Sequence, residues 1–197
     1  NQPKNKRKME INVSNLRAAY AAADESGKTL LRNLFPDADL NKDNRPVTER
    51  IKTFEDACQE LGEEHPFVVA YRAVEDIDEC SGDIEAYLKL RIIVAALNEG
   101  WTPELKEDEI LFYPWHWLYT QSEIDDMDED ERKERRMMQT GDYATEYAGF
   151  ACANSTYAPS NAYANVGSRL CLKSSELASY CGKQFIGIWA DFRLIRR

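Results

Sequence analysis

An abrupt change of pattern at Gly100 constrains this chain more than any other feature. Before it, apolar residues recur at helical spacing. After it, aromatic side chains alternate along a short stretch, and between Met137 and Cys171 helix formers other than Ala are sparse. This pattern predicts an α+β chain, with a helical N-terminal part at about 9–100 followed by an α+β part at about 101–197. The 197 residues suffice for one substantial domain or two small ones, and they leave both a shared core and two independent domains open.

In the N-terminal part, Met9 to Pro36 reads as one helix that Ser14 can cap, carrying Leu16, Ala19, Tyr20, Ala23, Leu30, Leu31 and Leu34. It stops at Phe35-Pro36 before a polar loop, Asp37 to Arg45. A second helix starts near Pro46-Val47-Thr48. Thr53 to Asp56 offers a further cap leading into Ala57, Cys58 and Leu61, with Gly62 as the stop. Phe67 to Val74 forms a third apolar stretch. The strongest helix spans Gly82 to Asn98, where Ile84, Tyr87, Leu88, Arg91, Ile92, Ala95 and Ala96 form a wide stripe closed by Gly100. The first eight residues, NQPKNKRK, carry four basic side chains and no acid. They read as a disordered basic tail or as sequence upstream of the true start, with Met9 as a candidate initiator. They lack the apolar core of a signal peptide.

A formal net charge of −10 argues against a nucleic-acid partner, because phosphate affinity comes mainly from clustered Lys and Arg. Leu88 to Leu97, the longest strongly apolar stretch, is interrupted by Lys89 and Arg91. It is far too short to span a bilayer, which predicts a soluble protein without membrane insertion. Five cysteines at no CxxC spacing, with only His65 and His116 beside them, make a poor zinc set. Reduced, mostly buried thiols are the preferred reading over a disulfide framework. No metal or other cofactor is expected.

Three segments beyond Gly100 carry chemistry worth weighing. FYPWHWLY (112–119) reads either as a stacking platform to which His116 contributes or as a strand. In a strand, Tyr113, Trp115, Trp117 and Tyr119 would share one face, and Phe112, His116 and Leu118 the other. The acidic run from Glu123 to Glu134 lacks the central Gly of a calcium loop, so it reads as a solvated helical face or connector. The segment 137–171 is different, with four Tyr, three Asn and seven Ala but no Lys. Binding loops use this mixture, because Tyr supplies rigid amphipathic area and small polar residues adapt their hydrogen bonds. Pro159 argues against a central strand there, so loops and short strands are expected. The alternative is a Tyr-rich structural loop packed on the aromatic strand. Ser174-Ser175-Glu176 then opens a last helix through Leu177, Tyr180, Phe185, Ile188 and Trp189.

RRMMQTG (135–141) followed by GFACANSTYAPSNAYANVGSRLCLKS (149–174) resembles the closing part of the C-type-lectin-like fold. Formylglycine-generating enzymes share that fold with the variable proteins of diversity-generating retroelements. A broader resemblance joins the chain to a protein family of gut Bacteroidales and their phages, which brings no assigned activity. It is carried by NRPVTERIKTFEDAC (44–58), AYLKLRIIVAALNEGW (86–101), FYPWHWLYT (112–120) and GSRLCLKSSELASYCGKQFIGIWADF (167–192).

In retroelement variable proteins, template Asn codons are randomised at adenines. The resemblance therefore implies a diversified ligand-binding set, here Asp142, Tyr143, Thr145, Tyr147, Asn154, Ser155, Tyr157, Ser160, Asn161, Tyr163 and Asn165. Gly167 and Arg169 would be scaffold. The calcium-lectin acid/Asn motif is absent. Cys152 and Cys171 do not reproduce the cysteines of formylglycine-generating enzymes, so that oxidase activity is not carried over. The expectation is a non-enzymatic binding protein for a protein or surface-glycan ligand. It would be made in the cytoplasm and displayed on a virion or cell surface in a phage or prophage context. The first rival is a phage virion structural or assembly protein, a homo-oligomer whose C-terminal loops form subunit contacts. An enzyme ranks third, since no nucleophile–base pair, phosphate loop or metal set is apparent.

Overall fold

The computed structural model describes residues 13–38, 40–41, 43, 45–77, 82–104, 106, 109–159 and 169–197, with the backbone alone for 13–14 and 157–159. The N-terminal tail and four of the expected binding residues, Ser160, Asn161, Tyr163 and Asn165, lie outside the described residues, as does Gly167. Among the described residues there are ten helices and three strands, so the chain is α+β with a helical N-terminal part. None of these helices is long and apolar enough to cross a membrane. The chain divides into two compact units, Asn1–Pro46 and Val47–Arg197.

The first unit holds two helices, α1 (Val13–Ala22) and α2 (Glu25–Leu34), where the apolar spacing predicts one. The break has a local cause. Asp24 sits in extended backbone at φ −69° and ψ 174°, and its carboxylate accepts the Gly27 N–H at 2.8 Å. An Asp that finds an N–H three residues ahead ends one helix and starts another. Ser14 lies within α1 rather than ahead of it. Leu16, Tyr20 and Leu40 form a small core with Leu31 and Phe35 packed against it, while Leu30 and Leu34 stay exposed.

The second unit begins with α3 (Val47–Arg50), α4 (Phe54–Leu61) and α5 (Pro66–Arg72). The expected cap of α4 is a full capping box. The Asp56 N–H donates to the Thr53 hydroxyl, and the Asp56 carboxylate accepts from the Thr53 N–H at 2.8 Å and the Lys52 N–H at 2.9 Å. These backbone donors hold the Asp56 carboxyl below its ordinary pKa. Gly62, at φ 87°, ends the helix in a conformation that favours glycine.

Helix α6 (Gly82–Leu97) is the centre of the unit. Leu90, Ile92, Ile93, Val94, Ala96 and Leu97 are all buried and Arg91 and Ala95 half-buried, so burial at its C-terminal half extends beyond the predicted stripe. Ile84, which belonged to that stripe, is exposed.

The sheet has three antiparallel strands in the order β1 (Ile110–Tyr119), β3 (Gly149–Pro159), β2 (Met138–Gln139). Between β1 and β2 lie α7 (Gln121–Asp126) and α8 (Glu129–Glu134), the solvated helices that the acidic run predicts. After β3 come α9 (Ser175–Gln184) and α10 (Ile186–Arg193), where one last helix is predicted. Phe185 separates them at φ −111° and ψ 32°, a non-helical backbone that a buried aromatic ring anchors.

Pro159 does not keep its segment out of the centre of the sheet. β3 is both the longest strand and the central one, and Pro159 is its last residue, opposite Ile110. A proline at the end of a strand interrupts no interior ladder bond.

Residues 47–100 and 101–197 share one core. Leu90, Ile93 and Leu97 pack in the same buried cluster as Phe150, Leu172, Phe185 and Trp189. Asn98 ties the end of α6 to the C-terminal part. Its Nδ2 donates to the Cys171 carbonyl at 2.9 Å, and its Oδ1 accepts the Lys173 N–H at 3.1 Å. The four described cysteines, Cys58, Cys152, Cys171 and Cys181, are all buried. Burial pushes the Cys152 thiol to about 11 and those of Cys171 and Cys181 to about 12.

Candidate functional site

The site grows out of β1. Phe112 exchanges two backbone hydrogen bonds with Leu172 on the side away from β3, at 3.3 and 2.8 Å. By the two-residue period of a strand, the backbones of Pro114, His116 and Leu118 also face that outer side. The missing N–H of Pro114 therefore costs no bond to β3. A bulge opposite the junction of Trp115 and His116 places Ala153 as an extra residue on β3.

Side chains alternate along β1 as expected, but burial splits the aromatic face. Tyr113 and Tyr119 are buried, whereas Trp115 and Trp117 are 44% and 50% exposed. On the other face, the His116 ring is stacked on Phe150 at 4.8 Å and tilted against Trp189 at 5.3 Å. Helix α9 reaches this face at Gly182, where an added Cβ would lie 2.5 Å from the Cys152 sulfur and 2.7 Å from the Pro114 Cβ.

Two hollows open along the outer edge of β1. Tyr113 to His116 line the first, of about 440 Å³, together with Tyr87, Thr156, Arg169, Phe192 and Arg193. His116 to Leu118 line the second, of about 790 Å³, with Tyr147, Phe150, Arg193 and Leu194. Consecutive strand residues line a hollow when it faces an edge rather than a face, because neighbouring side chains point to opposite faces. His116 and Arg193 belong to both hollows and mark where they meet. A broader depression of about 1360 Å³ lies on the other side of Tyr147. Arg132, Lys133, Arg136 and Arg197 line it against only Glu129 and Glu134, so its lining carries a positive excess.

His116 is a wall of the site, not a titrating group. Its Nε2 lies 3.4 Å from the Gly182 carbonyl and its Nδ1 is buried without a partner among the described residues. Burial, helped by the positive charge of Arg193, lowers its pKa to about 3. The imidazole is therefore neutral in the folded chain around pH 7 and a weak base for any proton transfer.

The consequence for stability has a definite sign. Between about pH 6.5 and 3 the unfolded chain binds a proton at His116 that the folded chain does not, so stability falls as pH falls through that window. The slope is up to about 1.4 kcal/mol per pH unit from this group. Chemical denaturation of the parent and of His116→Phe across that range should show a steeper loss in the parent. Parallel curves would mean that His116 is solvated.

No protein-family model, curated protein or solved structure matches this chain.

The expected binding residues separate into three kinds. Asp142, Tyr147 and Asn154 are exposed, with Tyr147 at 38% and lining the second hollow, and Asn154 opposite Trp115 in the ladder. Thr145 and Ser155 are half-buried. Thr145 shapes its loop by accepting the Tyr147 N–H at 3.2 Å. Tyr157 is placed by its backbone opposite Phe112.

Tyr143 is a correction. It is 5% exposed, its hydroxyl donates to the Asp191 carboxylate at 2.6 Å, and its backbone bridges Arg196. Burial and that carboxylate raise its pKa to about 12. It anchors the loop to the C-terminal residues and is not displayed. Arg169, expected as scaffold, is exposed and lines the first hollow.

Sequence reasoning missed Tyr87, Phe192 and Arg193, which reach the site from α6 and α10. No local pattern marks them, because they converge only when both helices pack on the sheet. Among the described residues no three of His, Cys, Asp and Glu come together as a metal site would require.

Proposed function

We propose that this chain is a non-enzymatic binding protein that presents a Tyr/Ser/Asn/Ala-rich surface on a C-type-lectin-like scaffold. The surface is diversified by a retroelement and serves recognition of a protein or surface glycan in a phage or prophage context. The carrying observation is convergence. Tyr147 lines one hollow, Thr156 and Arg169 line the other, and the two hollows meet at His116 and Arg193. Residues from both ends of the Tyr/Asn-rich segment thus border one continuous edge. The exposed Trp115 and Trp117 beside that edge supply the rigid aromatic area that recognition surfaces use.

Support for the lectin-like scaffold comes from the order of elements. The basic Arg135-Arg136 turn enters the short β2, a loop follows, and the long β3 carries the Asn/Ser/Tyr run. The acidic charge favours a partner other than nucleic acid.

A displayed surface should tolerate change without loss of fold. The triple variant Asp142→Ser, Tyr147→Ser, Asn154→Ser is expected to melt within about 4 °C of the parent, since exposed substitutions each cost roughly 0.5 kcal/mol or less. The single change Tyr143→Phe is expected to cost about 1.5–3 kcal/mol by removing a hydrogen bond to a carboxylate. Thermal melting and sedimentation of these variants test the reading. A large destabilisation of the triple variant would show that the segment is structural. A parent homo-oligomer that survives dilution and dissociates in the triple variant would instead support the virion assembly protein.

A further inference from the structure

We infer that the 440 Å³ hollow binds an aromatic group bearing an oxyanion, with Arg193 and Arg169 as its cationic partners and aromatic side chains as its walls. This rests on the reading of the β1 edge as a recognition surface, and it names the chemistry that surface takes.

Charge is the first observation. The chain has 35 acids and 25 bases, so carboxylate partners are plentiful. Arg50, Arg72, Arg135 and Arg196 each hold one. Arg169 and Arg193 are among the arginines that form no ion pair with any described residue, and these two line this hollow.

Arg193 is also held in place. Its guanidinium lies over the Trp189 ring, 5.1 Å from the centroid, and its N–H groups have no hydrogen-bond partner among the described residues. It ends α10, where the unpaired carbonyls of the last turn favour a cation. A planar guanidinium with free N–H groups suits a carboxylate or phosphate.

The walls set the rest of the ligand. Tyr87 stacks with Phe192 at 5.7 Å, and Tyr113, Trp115 and Trp189 complete an aromatic lining. Thr156 lies on the same wall. The volume falls near the lower end of the range of roughly 300–1,000 Å³ that small-ligand sites occupy. It suits one ring and its acid rather than a larger molecule. The neutral His116 adds a flat surface and no competing charge.

The test uses 3-phenylpropionate, phenyl phosphate and the neutral 3-phenylpropionamide, titrated into the full chain with tryptophan fluorescence as the readout. At least one anion should bind about tenfold more tightly than the amide, as expected for hydrogen bonds to a charged group. The tighter anion identifies carboxylate or phosphate as the source. The double variant Arg169→Gln, Arg193→Gln should lose about tenfold in affinity for that anion and leave the amide unchanged. Should that variant fail to fold, Arg169→Gln alone serves, because it changes an exposed turn residue. Equal binding of amide and anions, an absence of saturable binding, or undiminished affinity in the Gln variants would overturn the inference. None of those results bears on whether Asp142, Tyr147 and Asn154 tolerate change, so the display reading stands or falls separately.

Discussion

Replacing Arg50 by Met is expected to destabilise the Val47–Arg197 unit by about 3–5 kcal/mol, read as a drop in urea midpoint at unchanged slope. The Arg50 and Glu60 side chains are only 6% and 14% exposed and form an ion pair. Arg50 also donates to Glu99 at 2.6 Å, and Glu99 in turn pairs with Lys173 at 3.0 Å. One guanidinium thus joins α3, α4, the end of α6 and the segment before α9. Its attraction to Glu60 is offset in part by the cost of taking both charges out of water. Removing one partner leaves that cost without its compensation. The double variant Arg50→Met, Glu60→Leu is therefore expected to recover most of the loss. If Arg50→Met costs less than about 1 kcal/mol, the pair behaves as an exposed one.

Trp189→Ala is expected to cost a similar amount, about 3–5 kcal/mol. For a unit of this size that lowers the melting temperature by on the order of 10 °C. Trp189 is essentially inaccessible to solvent and is among the largest buried side chains. It contacts the His116 ring at 5.3 Å and the Phe192 ring at 6.1 Å, and it carries the Arg193 guanidinium. Its removal would open a cavity between α10 and the sheet that these rings can fill only in part. It would also take away the floor on which Arg193 rests. Trp189→Phe retains a ring and should cost clearly less. Equal losses for the two variants would contradict a packing origin of the loss.

Local signals in this sequence were readable where a residue acts on its near neighbours. The Thr53/Asp56 capping box, the Gly62 stop, the Ser174 cap and the alternation along β1 all depend on contacts a few residues apart. Two helix breaks were missed for opposite reasons. At Asp24 a capping side chain overrides an apolar spacing that continues past it. At Phe185 the cause is burial, which no spacing reveals. The proline rule misplaced β3, because Pro159 says where the strand ends, not where it sits in the sheet.

The candidate site was legible only in part. Composition pointed to the Tyr/Asn-rich segment, and Tyr147 and Asn154 are exposed there. Composition cannot tell Tyr143 from Tyr147, since the difference lies in Asp191, which is 48 residues further along the chain. The contribution of Tyr87 and Arg193 arises from the packing of α6 and α10 beside β1, and long-range packing of that kind leaves no trace in local spacing.

The most direct test of a diversified binding surface is to sequence this gene and its flanks across many isolates of one strain. The expected result is substitution concentrated in codons 142–165, mostly at adenine positions of a nearby template repeat. Within the described part, Asp142, Tyr147 and Asn154 should vary, while Tyr143, Ala151 and Cys152, which are buried, should stay fixed. A segment as invariant as Ala86 to Trp101 would contradict the account and leave a fixed structural or assembly role in its place.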